Sequence, residues 1–392
     1  MNKKKYIPQG YKESPLGIIP KEWEVKRLGE CFDISAGKDL VKENYSKEQT
    51  LLHRYPIYSN SLDNKGLYGY TSDPRHKGNS ITITGRGTLG HAEFRNKDFD
   101  AIIRLLVLTP KIKISCWLIT NYINYASPFI YESTGVPQLT APQIKNINIP
   151  LPPYNEQIAI ANVLQLWDTA IEKQSELIDK LKLRKRALMQ QLLTGKNRLP
   201  GFSGEWKEIK LGDIFDERNE TNRDDLPLLS ITGDKGVIYQ SESDKRDISN
   251  DDKSKYKRIC PNDIGYNTMR MWQGRSALSN IEGIVSPAYT IVTPHKNVDA
   301  RFMAMLILQP RIVYDFWTHS QGLVSDTLNC KYPDFCQVKV RIPSKEGQTA
   351  IADMLYEFDK EIDLASDKLA SLQSQKRGLM QQLLTGKKRI KG

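Results

Sequence analysis

Leu188-Met189-Gln190-Gln191-Leu192-Leu193-Thr194-Gly195-Lys196 recurs letter for letter as Leu379-Met380-Gln381-Gln382-Leu383-Leu384-Thr385-Gly386-Lys387. The two copies start 191 residues apart in a chain of 392. Identity of that length at that distance marks an internal duplication, so the chain is one unit written twice. Further upstream, Glu22-Trp23-Glu24-Val25-Lys26-Arg27-Leu28-Gly29-Glu30-Cys31-Phe32 returns as Glu205-Trp206-Lys207-Glu208-Ile209-Lys210-Leu211-Gly212-Asp213-Ile214-Phe215, 183 residues on. Apolar residues alternating with charge before a glycine predict a strand with one buried face in each half. Both copies contain E-x-K (Glu24 to Lys26, Glu208 to Lys210), but a nuclease needs a further acid upstream to hold its metal, and none stands at a persuasive position.

Leading into each copy of the repeated stretch is a periodic segment. Apolar residues fall at Ile160, Leu164, Trp167, Ile171, Ile178, Leu181, Leu188 and Leu192. With Gln174 and Lys185 admitted, the steps alternate four and three, which is a heptad seam. Adding 191 gives Ile351, Leu355, Phe358, Ile362, Ala365, Leu369, Leu372, Lys376, Leu379 and Leu383. Pro152-Pro153 precedes the first helix, and Gly195 and Gly386 stand where a C′ glycine ends one. About 40 residues at 1.5 Å each make a rod of roughly 60 Å. Two equal seams are expected to pair, because a rod that merely capped its own globular domain would leave its seam uncovered. Lys185 and Lys376 occupy a-type positions, where they either fix register or turn their ammonium groups out to water.

The rest of each half reads as short strands and turns. Ile81-Thr82-Ile83-Thr84 is a β-branched strand, followed by Gly85-Arg86-Gly87-Thr88-Leu89-Gly90. These glycines spell G-x-G-x-x-G, but a dinucleotide site needs a helix next. His91-Ala92-Glu93-Phe94-Arg95-Asn96 follows instead and reads as strand or loop. A strand–turn–strand with Arg86 exposed at its tip is the better reading, and Tyr266-Asn267-Thr268-Met269-Arg270-Met271-Trp272-Gln273-Gly274-Arg275-Ser276 is its counterpart. Segments 114–125 and 300–314 are expected to be helical, and 144–151 and 338–342 to be closing strands. The expected class is α+β, with globular domains at 1–151 and 197–342 and long helices at 152–196 and 343–392.

Hydrophobic residues make up 39% and charged residues 26%, ordinary for a globular protein. A net charge of +11 favours a polyanionic partner, because Lys and Arg that neutralise phosphates release counterions. Five cysteines without a C-x-x-C pair (Cys31, Cys116, Cys260, Cys330, Cys336) argue against a disulfide framework and a zinc site. They point to a reducing compartment. The basic start Met1-Asn2-Lys3-Lys4-Lys5 has no apolar run behind it, so a signal peptide is not expected and a cytoplasmic location is. The histidines (His53, His76, His91, His295, His319) are scattered, and no phosphate-binding G-x-x-x-x-G-K-[ST] is present. Leu151-Pro152-Pro153-Tyr154 resembles the [ND]-P-P-[YFW] motif of amino-methyltransferases, but Leu151 cannot accept a hydrogen bond from a target amino group. No catalytic set and no metal site emerges.

Taken together, the chain resembles the specificity subunit of type I restriction–modification systems over nearly its whole length. The resemblance is carried by 22–29, by Ile149-Pro150-Leu151-Pro152-Pro153-Tyr154-Asn155-Glu156-Gln157, by 188–196, and by their second copies. The second lead-in, Ile342-Pro343-Ser344-Lys345-Glu346-Gly347-Gln348, lacks the second proline and has Gly before the Gln. The family implies two target recognition domains, each reading one half of an interrupted DNA site. It implies two long helices forming an antiparallel coiled coil that sets the spacer. It also implies docking of two modification subunits that use S-adenosylmethionine and, through them, of restriction subunits that use ATP and Mg. No cofactor is expected in this subunit itself. Arg suits guanine, and Asn or Gln suits adenine. The candidate DNA-binding residues are therefore Tyr58, Asn60, Arg86 and Thr88 in the first domain, and Asn267, Arg270, Gln273 and Arg275 in the second. The competing classes are a free-standing DNA-binding or interaction protein and an adenine-N6 methyltransferase.

Overall fold

The computed structural model describes residues 6–127, 129, 137–233, 235–243, 247, 249–322 and 328–390. The basic start at 1–5 lies outside them. The chain divides into two compact units, Met1–Ser175 with Asp367–Gly392, and Glu176–Ser366. Each unit therefore takes a share of both long helices.

In the first unit, strand β1 (Glu24–Arg27) is followed by β2 (Phe32–Ala36), β3 (Ser80–Ile83), β4 (Ala92–Arg95) and β5 (Leu106–Pro110). Helix α1 (Cys116–Ala126), strand β6 (Asn148–Leu151) and the long helix α2 (Tyr154–Leu193) complete the first half. The main sheet has the order β2-β5-β3-β4, and β6 pairs antiparallel with β1. Strands Tyr55–Tyr58 and Leu67–Thr71 form part of a second four-stranded sheet. The second unit repeats the plan with β7 (Lys207–Lys210), β8 (Phe215–Glu217), β9 (Ile264–Asn267), β10 (Ser276–Leu278) and β11 (Tyr289–Pro294). Helices α3 (Ala300–Leu306) and α4 (Pro310–His319), strand β12 (Lys339–Ile342) and the long helix α5 (Lys345–Leu383) follow. Its sheet runs β8-β11-β9-β10, the same order, and β12 pairs with β7 as β6 does with β1.

Three local expectations are corrected. Segment 300–314 is two helices, because Pro310 offers no N–H to continue α3 and instead opens α4. Residues 144 and 145 belong to a short helix, Ala141–Lys145, and the closing strand starts at Asn148. The long helices span Tyr154–Leu193 and Lys345–Leu383, narrower than 152–196 and 343–392, since Pro153 and the left-handed Gly195 and Gly386 bound them.

Within each unit the helices run antiparallel. In the first, Asp168 of α2 pairs with Lys376 of α5, and Glu156 at the start of α2 with Arg389 just past the end of α5. In the second, Lys185 of α2 pairs with Asp359 of α5. The two lysine–aspartate bridges are the same bridge at an offset of 191. Ile160, Leu164, Gln174, Ile178, Leu181, Leu192, Ile351, Leu355, Ala365 and Leu383 are buried. Trp167, Ile171, Lys185, Leu188, Phe358, Ile362, Leu369, Leu372, Lys376 and Leu379 are partly buried, while most positions between them are exposed.

The repeated stretch does more than continue the seam. Leu383 and Leu384 enter the first core beside Trp23, Leu28, Ile160 and Leu164. Leu192 and Leu193 enter the second beside Trp206, Leu211, Ile351 and Leu355. Each copy thus closes the core around one of the two repeated tryptophans, and burying a leucine this completely stabilises by about 1.5–3 kcal/mol. Gln157 and Gln348 play a second matching part. Each amide donates to a carbonyl in the preceding linker (Pro152 at 2.8 Å, Pro343 at 3.0 Å). Each accepts from the residue capping the domain's helix (Ser115 N and Asp299 N, both at 2.9 Å).

Where the copies differ, the partners differ too. Glu156 takes the Trp23 indole N–H at 3.0 Å and the Arg389 guanidinium at 2.6 and 2.7 Å. Gly347 stands in its place in the second unit. There Arg198 instead lies over the Trp206 ring, 5.2 Å from its centroid. Among the described residues, no helix is long and apolar enough to cross a membrane.

Candidate nucleic-acid interface

In each unit the hairpin of the main sheet projects a turn: 84–91 between β3 and β4, and 268–275 between β9 and β10. The first turn is laced by Thr84. Its N–H donates to His91 O at 2.9 Å, its carbonyl accepts from Gly90 N at 2.9 Å, and its hydroxyl donates to the Thr88 carbonyl. Gly87 and Gly90 have φ of +69° and +78°, the left-handed region that favours glycine. Gly85 is needed for space, because a Cβ there would lie 2.7 Å from the Arg104 carbonyl. No helix follows, so the G-x-G-x-x-G spelling is a tight turn between strands.

Arg86 and Thr88 are exposed on this turn, and Arg86 has no side-chain hydrogen bond or ion pair among the described residues. Asn60 is half-buried beneath it and accepts from Gly85 N at 2.7 Å, which leaves its amide N–H groups to donate. Tyr58 is placed apart from these three. Its ring lies under the Arg95 guanidinium at 3.5 Å and helps line a cavity of about 390 Å³ with Arg95 and Trp117. Sequence reasoning missed Arg104, which is exposed beside Gly85 with Nη1 donating to Gln138 Oε1 at 3.0 Å. A signal was present: Arg104 interrupts the apolar run 101–108.

The second turn is built differently. Met271 is buried and anchors a short helical turn, Met271–Gln273, and Gly274 (φ +72°) reverses the chain. Asn267 accepts from Met269 N at 3.0 Å and is half-buried. Arg270, Gln273 and Arg275 are exposed. All four candidates of this domain line one cleft of about 430 Å³, together with Ile231 and Tyr289. Behind the turn, Cys330 N donates to Thr268 O at 2.8 Å, as Leu139 N does to Gly85 O at 3.0 Å in the first unit. Burial pushes the Cys330 thiol up to about 12, so it is an inert packing group. Among the described residues no cluster of acidic, His or Cys side chains could hold a metal.

Comparison with known proteins gives these features a family. The model of the type I restriction modification DNA specificity domain matches twice, at 20–183 and 203–374. A specificity subunit of the type I restriction enzyme MjaVIII from Methanocaldococcus jannaschii is 23% identical, covering 98% of this chain and 97% of that protein. The specificity subunit of EcoprrI from Escherichia coli is 27% identical over 45% of this chain and 44% of its own. The crystal structure of a type I S subunit from M. genitalium superposes with a TM-score of 0.57 at 16% identity, covering 92% of this chain and 96% of the other. The HsdS subunit from Thermoanaerobacter tengcongensis gives 0.52 at 14% identity, covering 94% and 98%. With a matching domain in each half, the chain belongs to the type I restriction–modification DNA specificity family and is a non-catalytic specificity subunit of it.

Proposed function

We propose that this chain selects the DNA sequence for a type I restriction–modification complex, each unit reading one half of an interrupted site. The observation that carries the reading is the duplicated turn. The same four-stranded sheet presents, once per unit, a tip with an exposed arginine and an amide on it or beneath it, groups that can address base edges in the major groove. The net charge of +11 supplies the sequence-independent attraction to phosphates. The helices set the spacing between the two readers and seat two modification subunits. Those subunits would bring S-adenosylmethionine, and the restriction subunits ATP and Mg, to a cytoplasmic assembly.

The test is reconstitution. The chain, co-expressed with the modification subunits of its own system, is expected to co-purify with them and to bind duplex DNA with a preference for one interrupted sequence. A chain that purifies alone and still binds one sequence would support the free-standing alternative. Cross-linking of S-adenosylmethionine to the isolated chain would support the methyltransferase alternative. Either result contradicts the proposal.

A further inference from the structure

The cleft of the second unit holds a feature outside the motif residues. A Cβ on Gly233 would stand 2.3 Å from Nη1 of Arg275 and 3.6 Å from its Cζ, so the guanidinium rests against bare backbone. The Arg275 backbone is fixed by Asn267 N donating to its carbonyl at 3.0 Å. Among the described residues its side chain has no hydrogen bond and no ion pair, and the cleft's described lining contains no carboxylate. The adjacent Ser276 lines the same cleft, is 8% exposed, and its Oγ has no hydrogen-bond partner among the described residues. The Arg275 guanidinium and the Ser276 hydroxyl therefore face the cleft with their donors unused among the described residues.

A planar fork of donors matches the paired O6 and N7 acceptors of guanine. A phosphate can take the same fork bidentately, but that contact carries no sequence information, so base substitution separates the two. We propose that Arg275 reads a guanine in the half-site taken by the second domain, and that Gly233 is a positioning residue that leaves room for its guanidinium. The inference rests on the DNA-reading function above. Gly233 is exposed, and the atoms a methyl group would meet belong to the flexible end of Arg275. Gly233→Ala should accordingly fold and displace the fork.

The experiment titrates the complex of this chain and its modification subunits with duplexes carrying the preferred sequence. Each guanine is replaced in turn by 7-deazaguanine, which lacks the N7 acceptor. One position in the second domain's half-site should lose affinity, by less than the about 5- to 150-fold worth of a whole bidentate contact because O6 still accepts. Arg275→Ala and Gly233→Ala should each weaken binding to the unmodified duplex and abolish the sensitivity at that position. Sensitivity in the other half-site should persist, which also shows that the variants are folded. The inference is overturned if no guanine position depends on residue 275. It is equally overturned if the variants weaken all sequences alike and lower the salt slope by about one, the mark of a phosphate contact. A complex without any sequence preference would overturn the DNA-reading function itself.

Discussion

Gly195 and Gly386 occupy the same place in the two copies, with the same φ of +69°, yet they are not equally replaceable. A Cβ at Gly386 would meet Pro20 at 2.5 Å, whereas one at Gly195 would meet the Trp206 ring at 3.3 Å. The left-handed backbone alone costs an L-residue about 1–2 kcal/mol. Gly195→Ala should cost about that much in urea unfolding, and Gly386→Ala clearly more; equal losses would show that the Pro20 contact gives way freely. Arg86 is a separate test at this scale. As a base reader, its replacement by Ala should change preference in the first half-site and leave the second untouched. If it only holds a phosphate, affinity should fall for every sequence, with a salt slope lower by about one.

Among elements, the starts of α2 and α5 share a lock that the sequence showed only as a motif. Gln157 and Gln348 are almost wholly buried, and each bridges its linker to the cap of a domain helix. Either Gln→Ala change should cost about 1–3 kcal/mol in thermal unfolding, because it leaves buried backbone groups without partners. The seam residues were legible because period and repetition coincide in them. The partners of Lys185 and Lys376 were not, because Asp359 and Asp168 lie off the seam and nothing in a single helix points to them. Both lysines are mostly buried and both aspartates half-exposed, so each bridge contributes roughly 0–1 kcal/mol to stability, and register is its better-supported role. Lys185→Asp should place like charges together and destabilise, and adding Asp359→Lys should restore most of the loss. A double-mutant cycle showing no coupling would remove the bridge from the account.

At the scale of the whole molecule, the duplication was readable from 188–196 alone, and the order of the main sheet follows it in both units. The tips are legible as turns, but the tertiary partners of their side chains are not. Asn60 is tied to Gly85, Tyr58 lies apart with Arg95, and Arg104 and Gly233 come from distant stretches. Such pairings depend on tertiary approach, which no local pattern encodes. If the helices space the two readers, inserting one heptad into each should lengthen them by about 10 Å. That corresponds to about three more base pairs in the tolerated spacer. The most direct measurement is genome-wide sequencing of methylated adenines in cells carrying the modification subunits with and without this chain. An interrupted two-part motif should appear only with the chain, and its halves should change separately in Arg86→Ala and Arg275→Ala. A motif that is uninterrupted, or that persists without the chain, would contradict two-part reading by this chain.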